Sequence, residues 1–177
     1  VGKRADWVYP ANLKRNNVYE VKEEIEKRRS VIIVESVGDS MALFEHGYKN
    51  NVVTFGLGIS SKLSSALVAL DPDKIIIASN NDSNGETNHG LISACKTFLQ
   101  LSSIFDYSKL QIKLPLKNDF FDMHLATFEG EDNIFDEWNS KTINMEAQIK
   151  KIHEIAVANK FPDSLIKRAE KILNDTA

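Results

Sequence analysis

Residues 74–85 read "KIIIASNNDSNG". The run Ile75-Ile76-Ile77 is short, continuous and β-branched, which predicts a strand buried on both faces rather than a helix turn. It ends abruptly in two amides, a carboxylate and a glycine. Those are ordinary turn residues, but they are also oxygen ligands and a flexible backbone at the end of a sheet.

The flanking sequence repeats the pattern. "VIIVES" (31–36) is a second buried strand, "NNVVTFG" (50–56) a third and "KLQIKL" (109–114) a fourth, closed by Pro115. Helical stretches lie between them. "GDSMALFEHG" has Asp39 as its N-cap and Gly47 as its C-cap, and a helix opened by Ser60 or Ser61 runs to Leu70 with Leu63, Ala66, Leu67 and Leu70 on one face. A longer helix places Leu91, Ala94, Cys95, Phe98 and Leu101 or Ser102 at helical spacing. Strands alternating with helices predict an α/β fold with a compact, mostly parallel four-stranded sheet covered on both faces.

Outside this block, "VYEVKEEIEKRR" (18–29) spaces Val18, Val21 and Ile25 as a short amphipathic helix does, although "NVYEV" also suits the start of a strand. Residues 116–143 mix acids and aromatics with little periodicity, so a loop-rich stretch with one short helix is expected. Met145, Ile149, Ile152 and Ala156 form one stripe. Leu165, Ile166, Ala169, Ile172 and Leu173 form another beyond Phe161-Pro162, which predicts a C-terminal helical hairpin. The expected organisation is 1–30 as an N-terminal flank, 31–123 as the α/β domain, 124–143 as a loop-rich linker and 144–177 as the hairpin.

Composition restricts the function classes. The 177 residues are 42% hydrophobic and 27% charged, with a net charge of -3, the profile of an ordinary globular chain. That charge argues against a broad basic surface for nucleic acid, though Lys and Arg gather near the N-terminus. There is no apolar run of transmembrane length and no basic start with an apolar centre. The single cysteine, Cys95, excludes an internal disulfide or a Cys-rich zinc module, reads as a core residue, and fits a reducing cytoplasmic compartment. The chain begins with Val1, which points to an excised or processed piece of a longer protein.

Open parallel sheets bind ligands at the carboxyl ends of their strands. Here those ends carry Glu35 and Asp39, then "GLG" (56–58), then Asn80, Asn81, Asp82 and Gly85, then Lys117, Asn118, Asp119 and Asp122. Oxygen donors without clustered His or Cys favour a hard cation, Mg²⁺ or Mn²⁺. Glycine turns let backbone approach phosphates. Turn and capping roles account for Asn84-Gly85 and Asp39 equally well. Glu35 is harder to explain as filler, because it ends so apolar a strand.

"VIIVESVGDSMAL" resembles the opening of the TOPRIM domain of bacterial and phage primases: a strand ending in Glu, a short Gly-containing loop, and an Asp opening a helix. "VVTFGLGIS" resembles that family's second strand and loop, "IIIASNNDSNG" its third strand and Asp-x-Asp-x-x-Gly signature, and "NDFFDMH" its last acidic segment. The resemblance spans about residues 31–123. It implies a phage-type primase, a nucleotidyltransferase that makes RNA primers on single-stranded DNA from nucleoside triphosphates with Mg²⁺ or Mn²⁺, in the cytoplasm of a bacterium or phage-infected host, with a replicative helicase as a further partner. It implies Glu35 as catalytic acid/base and metal contact, Asp82, Asn80, Asp39 and Asp119 as metal ligands, and Gly56, Gly58, Lys62, Gly85 and Lys117 as phosphate or nucleotide contacts. TOPRIM nucleases and topoisomerases share these motifs, and a degenerate module that binds nucleic acid or a partner protein is the non-enzymatic alternative.

The sequence departs from the family pattern at three points. Asn80 stands where the first Asp of the signature belongs, Asn118 where a Lys is expected, and Phe121 where an Asn is usual. An amide oxygen ligates Mg²⁺ without bringing charge, so weaker metal binding or a Mn²⁺ preference is expected. Other residues carry competing readings. His89 reads as an exposed helix-start side chain, His124 and His153 have no spaced partner ligands, Lys62 suits solvent or a phosphate equally, and Trp7 and Tyr9 read as anchors of the N-terminal segment rather than base-stacking groups.

Overall fold

The computed structural model describes residues 19–56, 58–84 and 87–176. The expectations for Val18, Trp7, Tyr9 and Gly85 lie outside them. Four parallel strands form the main sheet: β1 (Ser30–Val34), β2 (Asn51–Val53), β3 (Lys74–Ile77) and β6 (Leu110–Ile112), in the order β2-β1-β3-β6. Their register pairs Ile33 with Val52 on one side and with Ile77 on the other, and Ile77 with Ile112. A two-residue antiparallel ribbon, β4 (Ser83–Asn84) with β5 (Thr87–Asn88), follows β3.

Strand periodicity divides the core in two. Val31, Ile33, Val52, Ile75, Ile77 and Leu110 face one layer. It comprises α1 (Tyr19–Arg28), α3 (Ser61–Leu70), α4 (His89–Leu101), α7 (Met145–Ala158) and α8 (Asp163–Thr176). Ile32, Val34, Val53, Ile76 and Ala78 face the other. It comprises α2 (Val37–Glu45), α5 (Phe120–Phe128) and α6 (Ile134–Ser140). The hairpin α7–α8 is present and packs on α4, with Ile152, Ala169 and Ile172 buried in the first core. Cys95 is fully buried there too, and desolvation pushes its thiol up to about 12, so it acts as a small apolar side chain.

Two local expectations differ from the structure. Ser36, not Asp39, is the N-cap of α2, and Asp39 is the third helical residue of a capping box. The stretch 124–143 is mostly helical, because α5 runs to Phe128 and α6 follows. Its aromatics are what organise it. Phe120, Phe135 and Trp138 are buried in the second core, Phe120 and Trp138 meet edge-to-face at 4.9 Å, and the Trp138 indole N–H donates to the carbonyls of Lys113 and Leu114. Among the described residues no helix is long and apolar enough to cross a membrane.

Candidate functional site

Because all four strands of the sheet are parallel, their carboxyl ends share one edge, and the polar residues that follow them meet there. Glu35 leaves β1 half-buried. Burial is the main force raising its carboxyl above the ordinary glutamate range. The Ser79 hydroxyl and the Asn80 backbone N–H bond to it and oppose that rise, while the Asp82 and Asp39 carboxylates push it further up. Ser79 is itself buried. Glu35 shares a narrow crevice with Thr54, Ser79, Ser93 and Thr97, and Gly56 and Gly58 also line it. The backbone there is left-handed at Phe55, Gly56 and Gly58, with φ of 54°, 68° and 72°. Lys62 stands exposed in the first turn of α3, behind the Ser60 cap.

The end of β3 is held by its amides. Asn81 donates through its backbone to Asn118 and through Nδ2 to Pro115, and its Oδ1 accepts from Asn88, the N-cap of α4. Asn81 thus ties the β3 loop to the β6 loop and to the start of α4. Asn80 is half-exposed and Asp82 is exposed. Asp82 Oδ1 accepts from the Gly90 N–H at 2.9 Å, at the positive end of α4. Gly90 is required there: a Cβ on it would stand 1.6 Å from the Asn80 carbonyl oxygen.

Asp39 is placed differently from Asp82. It is only 1% exposed. Its Oδ2 accepts from the Ser36 N–H (3.1 Å) and hydroxyl (2.7 Å), and its Oδ1 from the Phe120 N–H (3.0 Å). Burial raises its carboxyl, against those hydrogen bonds. Asp119 caps α5, accepting from Asp122 N–H at 2.7 Å. Two carboxylates therefore satisfy two of the N–H groups opening α5, those of Phe120 and Asp122. Asn118 Nδ2 donates to Asp122, and Lys117 is paired with Glu131 at 2.7 Å. Lys117, Asn118 and Asp122, with Asn81, Leu125 and Glu129, line a cleft of about 490 Å³ beside the strand ends.

The donor set suits a hard cation held loosely. The Asp82 carboxylate adds to the rise in the proton affinity of Glu35, and a cation beside Glu35 relieves that repulsion. Mg²⁺ commonly uses one or two carboxylates and completes its shell with water and phosphate oxygens. Among the described residues no group of three or more His, Cys, Asp or Glu side chains is gathered to hold a metal; Glu35 and Asp82 could supply two carboxylates of a more open shell. Sequence reasoning passed over Ser79 and Gly90, and placed Asn81 at the strand end without the tying role it has here. Only Gly90 left a trace in the sequence, as a glycine in the first turn of a strongly patterned helix.

Comparison with known proteins agrees with this fold. Residues 29–102 match the family model described as Toprim domain. No curated protein sequence matches the chain. Among solved structures, the RNA polymerase domain of Mycobacterium tuberculosis primase DnaG superposes with a TM-score of 0.61 at 15% identity, covering 94% of this chain and 52% of that one. The zinc-binding and RNA polymerase domains of the Aquifex aeolicus primase give 0.59 at 16% identity, covering 94% and 44%. The chain therefore spans about half the length of the primase structures it matches. Residues 29–102 thus resemble a Toprim domain, within a chain whose fold resembles that of the two bacterial primase structures.

Proposed function

We propose that the chain is the Toprim-containing part of a phage-type primase, joining ribonucleotides on a single-stranded DNA template with divalent-metal assistance. The observation that carries this reading is the electrostatic closeness of Glu35 and Asp82, which follow adjacent parallel strands, with the Glu35 carboxyl bound by Ser79 and the Asn80 backbone and raised in proton affinity. A carboxylate so raised is a better base for a 3′-hydroxyl than an ordinary surface glutamate. Asp82 lies exposed beside it and remains available to a cation. Bound there, Mg²⁺ or Mn²⁺ would supply charge compensation for the phosphates.

The other strand ends suit the triphosphate. The left-handed turns at Gly56 and Gly58 bring backbone close to incoming oxygens, and Lys62 is exposed one turn away. Lys117 would exchange Glu131 for a phosphate, an exchange made easy because both partners of that pair are solvent-exposed. Asp39 and Asp119 hold α5 in register with this edge through Phe120 and Asp122. Their part in metal binding would require those hydrogen bonds to be given up.

The test is template-directed incorporation of labelled ribonucleotides on single-stranded DNA with Mg²⁺ or Mn²⁺, comparing the wild type with Glu35→Gln. Primer products that disappear in Glu35→Gln support the proposal. Cleavage of the template without synthesis would replace it with a nuclease. Neither product would leave a binding module, the reading favoured by the neutral Asn80.

A further inference from the structure

The second layer carries a surface that none of this chemistry uses. Five of the eight exposed large apolar side chains among the described residues lie on α2 and α5: Val37, Met41, Phe121, Leu125 and Phe128. Phe128 is 77% exposed and Met41 64%. On α5 the three fall at i, i+4 and i+7, a helical stripe turned outward. On α2, Val37 and Met41 are one turn apart, and Phe121 packs beside Gly38 between them. Clustered exposure of this kind marks interaction surfaces, whereas scattered apolar residues do not.

The platform is rigid. His46 Nε2 and His124 Nδ1 are 3.1 Å apart, joining the end of α2 to the middle of α5. His46 stacks on Phe135 at 3.8 Å, and His124 touches the rings of both Phe121 and Phe128. Asp39 pins the two helices at their start. A surface already held in shape loses little entropy on binding.

Charge decides what fits. From 118 to 140 the chain has seven Asp or Glu residues and no Lys or Arg, although the whole protein is only at -3. Asp122 and Glu129 flank Leu125 in the cleft described above, whose one lining cation, Lys117, is paired with Glu131. Such a rim repels a nucleic-acid backbone. A second copy docking through the same face would set acid rim against acid rim, since a two-fold interface is self-complementary.

We propose that the α2–α5 face is the docking site for a cationic amphipathic helix of a partner protein. The partner's apolar stripe would cover Phe121, Leu125 and Phe128, and its Lys and Arg residues would meet the acidic rim. The proposal stands independently of the catalytic reading, since none of the five apolar side chains is assigned to catalysis.

The probe is a dye-labelled amphipathic peptide of about eighteen residues, long enough for five helical turns, with one leucine face and one lysine face. Fluorescence anisotropy would follow its binding to the whole chain. Phe121→Ser and Phe128→Ser are exposed changes that leave the core untouched. Saturable binding that weakens with salt and falls roughly tenfold or more in either variant is expected. Equal affinity in wild type and variants, equal binding of a peptide with Glu for Lys, or no saturable binding would overturn the proposal. So would capture of an oligothymidine through the same phenylalanines, or their loss dissolving a dimer seen by sedimentation.

Discussion

Replacing Gly90 with alanine sets two effects against each other. Helix propensity alone says that Gly90→Ala stabilises α4, by up to about 1 kcal/mol. The geometry says the reverse. The new Cβ would lie 1.6 Å from Asn80 O, 2.7 Å from Asn80 C and 3.0 Å from Asp82 Oδ1. Reaching even the shortest contact real Cβ atoms show, 3.0 Å, requires Asn80 or the helix start to retreat by about 1.4 Å. Both sides are backbone, so no side-chain rotation relieves the clash. Overpacking of this kind costs about 1–3 kcal/mol, and loss of the Gly90 N–H to Asp82 bond adds about 1 kcal/mol. The net expectation is a destabilisation of about 1–3 kcal/mol. At about 2–4 °C per kcal/mol for a chain of this size, Tm should fall by several degrees in thermal unfolding followed by circular dichroism. The same retreat moves the Asn80 N–H away from Glu35, so divalent-cation binding should weaken in parallel. An unchanged or higher Tm would show that the Asn80 carbonyl does not press on α4, and would refute the placement of Asp82.

Three further outcomes follow from the same edge. Asp39→Ala removes an acceptor used by Ser36 N–H, Ser36 hydroxyl and Phe120 N–H, so urea unfolding should show a loss of about 2–4 kcal/mol; a loss under about 0.5 kcal/mol, typical of surface changes, would mean that α2 and α5 are joined elsewhere. Glu35 has a folded-state pKa above its ordinary value of 4.5, so the unfolded chain ionises first as pH rises, and native stability is eroded from about that pH upward. Glu35→Gln should therefore match the wild type in acid and exceed it at neutral pH, and equal stability across the range would contradict the raised pKa. Asn80→Asp adds a charge to the edge and should tighten Mn²⁺ binding by roughly tenfold, well below the full Coulomb value because the site is half-open; no change in calorimetry would place Asn80 outside the cation's reach.

What could be read from the sequence depended on the range of the forces involved. Strand identity lies in local runs such as Val31–Val34 and Ile75–Ile77, so all four strands of the sheet were legible, and with them the edge where Glu35 and Asp82 meet. The C-terminal hairpin was legible because α7 and α8 are each 14 residues long, enough for a stripe to repeat. The helices α5 and α6 have only 9 and 7 residues. Over so few turns an amphipathic stripe is hard to tell from a loop, and their aromatics face a core that only the folded chain creates. The start of α2 was misread because Asp39 is a good cap residue by type; the "SVGD" spacing of a capping box, Ser36 to Asp39, was the signal available. Ser79, Asn81 and Gly90 act through partners 7 to 44 residues away in sequence, and periodicity does not encode such contacts.

The most direct test of the central claim is a Mn²⁺ titration of the whole chain followed by electron paramagnetic resonance, with Glu35→Gln and Asp82→Asn beside the wild type. One weak site is expected in the wild type, lost or strongly weakened in each variant while both remain folded. Undiminished binding in either variant would contradict a cation held by that carboxylate at the mouth of the sheet.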